Sequence, residues 1–230
     1  MKKHKIIIIG ILGLFLGIFF LLKLSFYPPI FLYDTNSFNQ QLFLSQLKFI
    51  RERGFKIVSL EEFSSSFKKG KVNKILSIVF LGSKNILALS QLAQKENIPL
   101  VVFIDKESVE NNRKSLSYEL GEPLLEIGLL SKKNLGELST FQIQKEISLY
   151  KRFIEEFLDK KVKYIAFNLG KPKKEILKAI ESNGYLCGLS LDKSLGGSVF
   201  SLRPIRVSFT DTEEVLKKKL SGFYYLFKRK

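Results

Sequence analysis

A chain of 230 residues, 45% of them apolar, can bury one sizeable core, and a single domain of that length is ordinary for α/β barrels. Its 38 Lys and Arg against 22 Asp and Glu give a net charge of +16 and a pI near 9.8, a balance that suits anionic polymers or lipid head groups and that a lysine-rich proteome also produces. The lone cysteine, Cys187, excludes an intrachain disulfide and a thiolate metal centre, and the lone histidine, His4, leaves the rest of the chain without imidazole for proton transfer or metal binding.

The chain opens with the basic leader MKKHK (1–5) and then runs uncharged from Ile6 to Leu22, with Lys23 placed to snorkel and Phe26 and Tyr27 suited to an interface. An apolar run of about 17 residues is at the short end of what spans a bilayer and longer than a signal-peptide core, and no small-x-small cleavage site follows. Residues 6–27 therefore read as an uncleaved signal anchor in the inner or cytoplasmic membrane. The positive leader stays inside, and the domain 28–230 faces the periplasm or the exterior. A cleaved signal peptide is the alternative. Gly13 and Gly17 form a G-x-x-x-G pair through which two anchors could pack as a homodimer.

After Pro28-Pro29, apolar strand candidates alternate with amphipathic helices. The strands are Ile30–Tyr33, Lys56–Leu60, Ile75–Leu81, Pro99–Ile104, Leu124–Leu130, Tyr164–Leu169, Leu186–Leu191 and Leu202–Phe209. Most are continuous apolar runs, the pattern of parallel strands covered on both faces. A helical pattern follows Asn85. Phe43, Leu47 and Ile50 share one face of a helix from Ser37 to about Arg53 that Gly54 ends. Ile143, Ile147, Tyr150, Ile154 and Phe157 form the seam of a helix from Thr140 to about Lys160, with Lys145, Glu146, Glu155 and Glu156 off it. Pro172 opens a helix to Glu181, and Thr210-Asp211-Thr212-Glu213 reads as a capping box for the last helix. The tail FYYLFKRK either touches the membrane or packs Phe223 and Tyr224 beneath the barrel.

Five segments, in order, resemble the polysaccharide deacetylase family, the NodB-homology or carbohydrate esterase family four domain. They are FLYDTNSFNQQLFLSQLKFIRERGFKIVSLEEF, LSIVFLGSKN with LAQKENIPLVVFI, LLEIGLLSKKNLGELS, VKYIAFNLGKPKKEILKAIESNGY, and LRPIRV. The resemblance implies a distorted (β/α) barrel of the NodB-homology type behind the N-terminal transmembrane helix. Active members hold a divalent metal, usually zinc, through one Asp and two His, and a second Asp takes the proton from the metal-bound water that attacks an N-acetyl carbonyl.

Position by position, the chain departs from that pattern. Leu81, Gly82 and Ser83 stand where the family has Asp-Asp-Gly; Leu130 and Asn134 stand at the two histidines; Phe167-Asn168-Leu169-Gly170 replaces Tyr-Pro-Tyr-Gly; and Asp34 replaces a His. The expectation is a catalytically inactive module with no cofactor and no nucleic-acid partner, which binds or scaffolds glycan or an anionic envelope polymer through Tyr33, Asp34, Phe80, Asn85, Asn134, Asn168 and Arg206. Two alternatives stay open: a divergent deacetylase holding a metal such as zinc through carboxylates near strand ends (Asp34, Asp105, Glu126, Asp192), and a structural partner of an active paralogue.

Overall fold

The computed structural model describes residues 29–111, 116, 123–168, 174–192 and 198–221. The expected anchor 6–27 with Gly13 and Gly17, the expected helix start at Pro172 and the aromatic tail lie outside the described residues. Among those described, no helix is long and apolar enough to cross a membrane.

The described residues form eight strands: β1 (Ile30–Asp34), β2 (Lys56–Ile57), β3 (Ile75–Leu81), β4 (Leu100–Ile104), β5 (Leu125–Asn134), β6 (Tyr164–Asn168), β7 (Cys187–Ser190) and β8 (Ile205–Arg206). They form one sheet in the order β7-β6-β5-β4-β3-β1-β8, with β2 paired to the start of β3, and every pairing is parallel. The stretch after Ser201 touches both edges of this sheet. Leu202 N donates to Gly188 O at 2.8 Å and Leu202 O accepts from Ser190 N at 2.8 Å, while Val207 N donates to Leu32 O at 2.8 Å beyond the β8–β1 pairs. One short segment thereby curls the sheet toward a barrel.

Parallel strands buried on both faces supply two separate cores, because successive side chains point to opposite faces. In register, Tyr33, Phe80, Val102 and Ile127 form one row. They face outward into the layer shared with the helices α1 (Gln40–Glu52), α3 (Ile86–Glu96), α5 (Thr140–Leu158), α6 (Lys174–Ser182) and α7 (Glu213–Leu220). The next row, Asp34, Leu81, Phe103 and Gly128, turns inward, where Phe103 joins Leu32, Val79, Val101, Ala166, Cys187 and Leu189. Gly128 is required there: a Cβ on it would lie 2.4 Å from the Phe103 ring.

Two helices had no explicit reading from the sequence. α2 (Leu60–Lys68) puts Leu60 and Phe63 into the inner core and covers the end where the strands begin; Glu61 Oε2 meets Lys163 Nζ, just before β6, at 3.1 Å. α4 (Lys106–Asn111) is a short turn opened by Asp105. The expected capping box at Thr210 is corrected: α7 begins at Glu213, its N-cap Thr212 makes no side-chain cap bond, and Asp211 is engaged by Lys219 and by Ser208 N at 2.9 Å. Glu146, expected off the apolar seam of α5, is buried, because it follows Ile143 by three residues and so shares its face.

Candidate functional site at the barrel mouth

The C-terminal ends of the strands form the mouth, where α/β sheets commonly bind ligands. At its β1–β3–β8 side lies a cavity of about 330 Å³ lined by Asp34, Ser37, Leu81, Arg206, Ser208, Asp211 and Lys219, with Leu32, Tyr33 and Val207 completing the wall. Asp34 ends β1 and faces solvent, and its Oδ1 accepts from Asn36 N and Asn36 Nδ2, both at 2.8 Å, so that it caps the following 3-10 turn. Arg206 is exposed and has no ion pair among the described residues. Buried Lys219 donates to the Arg206 carbonyl at 2.8 Å and to the Asp211 carboxylate. Gln46 fixes the far wall: its amide nitrogen donates to the carbonyls of Ser208 (2.9 Å), Phe209 (3.1 Å) and Asp211 (3.3 Å), and its oxygen accepts from Tyr33 OH at 3.0 Å.

The positions that the resemblance assigns to the metal and the base carry no ligand atoms suited to that work. Leu81 and Leu130 pack against the inner core, extending its apolar filling to the rim. Gly82 sits at φ +108°, and a Cβ on it would lie 2.4 Å from Thr35 Oγ1, itself buried with no hydrogen bond among the described residues. Asn134 caps the 3-10 turn that follows it, accepting from Gly136 N at 3.2 Å and donating to Glu137 Oε1 at 2.6 Å. These residues do not fit a divalent metal, and among the described residues no three His, Cys, Asp or Glu side chains are grouped to hold one.

The four carboxylates considered as a substitute site are dispersed. Asp105 accepts from Ser108 N (3.0 Å), Ser108 Oγ (2.8 Å) and Lys132 (3.0 Å). Burial pushes its pKa up, but the bonds from Ser108 and Lys132 outweigh that and hold it below the usual range. Asp192 takes the Ser190 hydroxyl at 2.6 Å. Glu126 lies at the opposite end of the barrel, where it accepts from Lys163 at 3.0 Å and from Tyr164 OH at 2.8 Å.

Of the expected glycan-contacting residues, Asp34 and Arg206 share the mouth cavity. Asn85 stands beside it in a left-handed conformation, with Nδ2 donating to Thr35 O at 2.9 Å. Asn134 and Asn168 are register partners at the β5–β6 rim, past an irregularity between Ser131 and Asn134. Tyr33 and Phe80 are placed differently from expectation: both rings are buried in the outer layer, stacked on each other at 5.4 Å and surrounded by Phe43 and Phe209. Burial also raises the Tyr33 phenol pKa. Ser37, Ser208, Asp211 and Lys219 were not singled out from the sequence. For Lys219 the signal existed, since it lies between Leu216 and Leu220 on the face that α7 buries.

A second cavity, of about 250 Å³, opens beside Leu130 where the β5 irregularity directs Lys132 to Asp105 and Lys133 to Glu146. Buried Glu146 meets Lys133 Nζ at 2.8 Å and Ser131 Oγ at 3.4 Å, and the Glu146 bond raises the Lys133 pKa. The lysines here are thus neutralised by local carboxylates.

No protein-family model matches the sequence, and no relative is found among curated proteins. The fold is nonetheless that of the polysaccharide deacetylases. The Streptococcus pyogenes deacetylase PplD in complex with acetate superposes with a TM-score of 0.69 at 17% identity, over 84% of this chain and 98% of that one. IcaB from Ammonifex degensii gives 0.64 at 12% identity, over 86% and 97%, and a polysaccharide deacetylase from Bacillus cereus gives 0.63 at 15%, over 84% and 68%.

Proposed function

We propose that this protein is a membrane-anchored, catalytically inactive deacetylase-like barrel that binds or scaffolds cell-envelope or exported glycan at its mouth. The observation that carries this reading is the backbone at Gly82. A metal-dependent deacetylase needs an anionic ligand there to help make hydroxide from bound water, and here the chain adopts a conformation that L side chains rarely take, with Thr35 Oγ1 2.4 Å from where a Cβ would lie. A side chain at this position would meet both a backbone conformation that disfavours it and the Thr35 hydroxyl.

What remains at the mouth is a polar, partly charged cleft: exposed Asp34 and Arg206, and the serine hydroxyls of Ser37 and Ser208. Such groups suit the hydroxyls and amides of a sugar chain. The anchor reading is supported by the uncharged run Ile6 to Leu22 behind a basic leader. The test is an NMR titration of the protein with N-acetylated chitooligosaccharide and with peptidoglycan fragments. Shifts confined to Asp34, Ser37, Asn85, Arg206 and Ser208 are expected, and saturation with no movement at these positions would reject glycan binding.

A further inference from the structure

The end of the barrel opposite the mouth carries a second surface, and its chemistry differs. All strands are parallel, so the returns from α1 to β2 and from α2 to β3 lie at the end where β1 begins. The stretches 51–56 and 68–74 hold seven Lys or Arg and one Glu, a dense basic cluster at that end, whereas the mouth loops 34–39 and 82–85 next to the cleft hold one Asp and one Lys. The two basic returns touch. Lys56 N donates to Lys74 O at 2.9 Å, and a Cβ on Gly54 would lie 3.3 Å from Lys74 Nζ. Arg53, Lys56, Lys69, Lys71 and Lys74 are all exposed, and only Lys56 among them is spent on a carboxylate among the described residues, Glu62 at 2.8 Å.

We propose that this basic face is a docking surface for anionic phospholipid head groups, which seats the barrel on its own bilayer with the mouth directed away from the membrane. The proposal rests on residues 6–27 being the anchor. Only three peptide steps separate Tyr27 from Ile30, at most about 10 Å of chain. The end that starts β1 is thus held within roughly a Debye length of the head groups, ~8 Å at physiological salt, where lysines act on a charged surface. An anionic wall polymer would also answer to the charge, but the short tether places lipid phosphate nearest. This seating gives the glycan cleft a fixed outward orientation.

The test uses the full chain in lipid nanodiscs, with one cysteine introduced at neutral, exposed Asn73 beside the lysines (Asn73→Cys) or at the mouth (Lys84→Cys), each carrying a fluorophore quenched by head-group-labelled lipid; Cys187 is fully buried and stays unlabelled. In discs of one-third phosphatidylglycerol the Asn73→Cys label is expected to be quenched at least threefold more than the Lys84→Cys label. That ratio should collapse in pure phosphatidylcholine, in 0.5 M salt, or with Lys69→Glu, Lys71→Glu and Lys74→Glu combined. Equal quenching at both positions in anionic discs would overturn the docking face while leaving the anchor intact. So would a ratio that persists in phosphatidylcholine, or one seen only when a soluble anionic wall polymer is added. Failure of the chain to enter discs of either composition would instead remove the anchor, and the proposal with it.

Discussion

Replacing Gly82 by Ala probes the mouth at its most constrained point. The residue lies at φ +108°, and its amide donates to Phe103 O at 3.0 Å, so the backbone is tied to the neighbouring strand and cannot simply rotate away. Holding a non-glycine residue at such a φ costs about 1–3 kcal/mol, and the added methyl, 2.4 Å from Thr35 Oγ1, introduces overpacking of similar size. A combined loss of roughly 3 kcal/mol corresponds to a Tm lower by about 6–12 °C in a domain of this size. Thermal unfolding followed by circular dichroism in mild detergent measures it, with Ser83→Ala as the neighbouring control expected within about 0.5 kcal/mol. Thr35→Ala removes both the clashing atom and a buried hydroxyl without a described hydrogen-bond partner, so the double variant should recover the steric share and leave the backbone share. An unchanged Tm for Gly82→Ala would refute the reasoning, since the position could then accept a side chain.

Three further outcomes follow from the same structure. Lys133→Ala strands Glu146, which is 5% exposed, without its cation and should cost about 2–3 kcal/mol in urea denaturation; Glu146→Gln leaves half-exposed Lys133 free to return to water and should cost about 1 kcal/mol. Asp105 binds a proton less readily folded than unfolded, so its contribution is complete above the unfolded carboxylate pKa of about 4 and fades as pH falls below that toward the lower folded value; Asp105→Asn should flatten the loss of stability over that range, and identical acid profiles would contradict the assignment. Cys187 is fully buried in the inner core and burial raises its thiol pKa, so a thiol reagent should modify it only in denaturant, and prompt reaction with native protein would contradict that placement.

The strands were legible because β3 and β4 are buried on both faces and read as unbroken apolar runs; the expected bounds Ile75–Leu81 match those observed. That same property hid the orientation of their side chains. Phe80 and Phe103 look alike in sequence, yet one packs outward under the helices and the other fills the barrel, and only the register with Asp34 and Gly128 separates them. Phe80 was therefore assigned to the cleft although its ring packs in the outer core, and Tyr33, which borders the mouth cavity, buries its ring in that core as well. The strand Leu202–Phe209 contracts to Ile205–Arg206, because the segment bonds first to β7 and then to β1 around Pro204. Glu146 was placed off the apolar seam and Lys219 was not singled out, since sequence spacing puts them next to apolar faces without showing the partners, Lys133 and Asp211, that make their burial tolerable.

Release of acetate is the most direct test of catalytic silence. Purified full-length protein, supplied in turn with zinc, cobalt, nickel and manganese, is incubated with N-acetylated chitooligosaccharide and with peptidoglycan fragments, and free acetate is measured beside the metal content of the repurified protein. With Leu81, Gly82, Leu130 and Asn134 at the family's metal and base positions, the prediction is no acetate above a protein-free blank and no stoichiometric metal retained. Sustained acetate release that a chelator abolishes and added metal restores would contradict it.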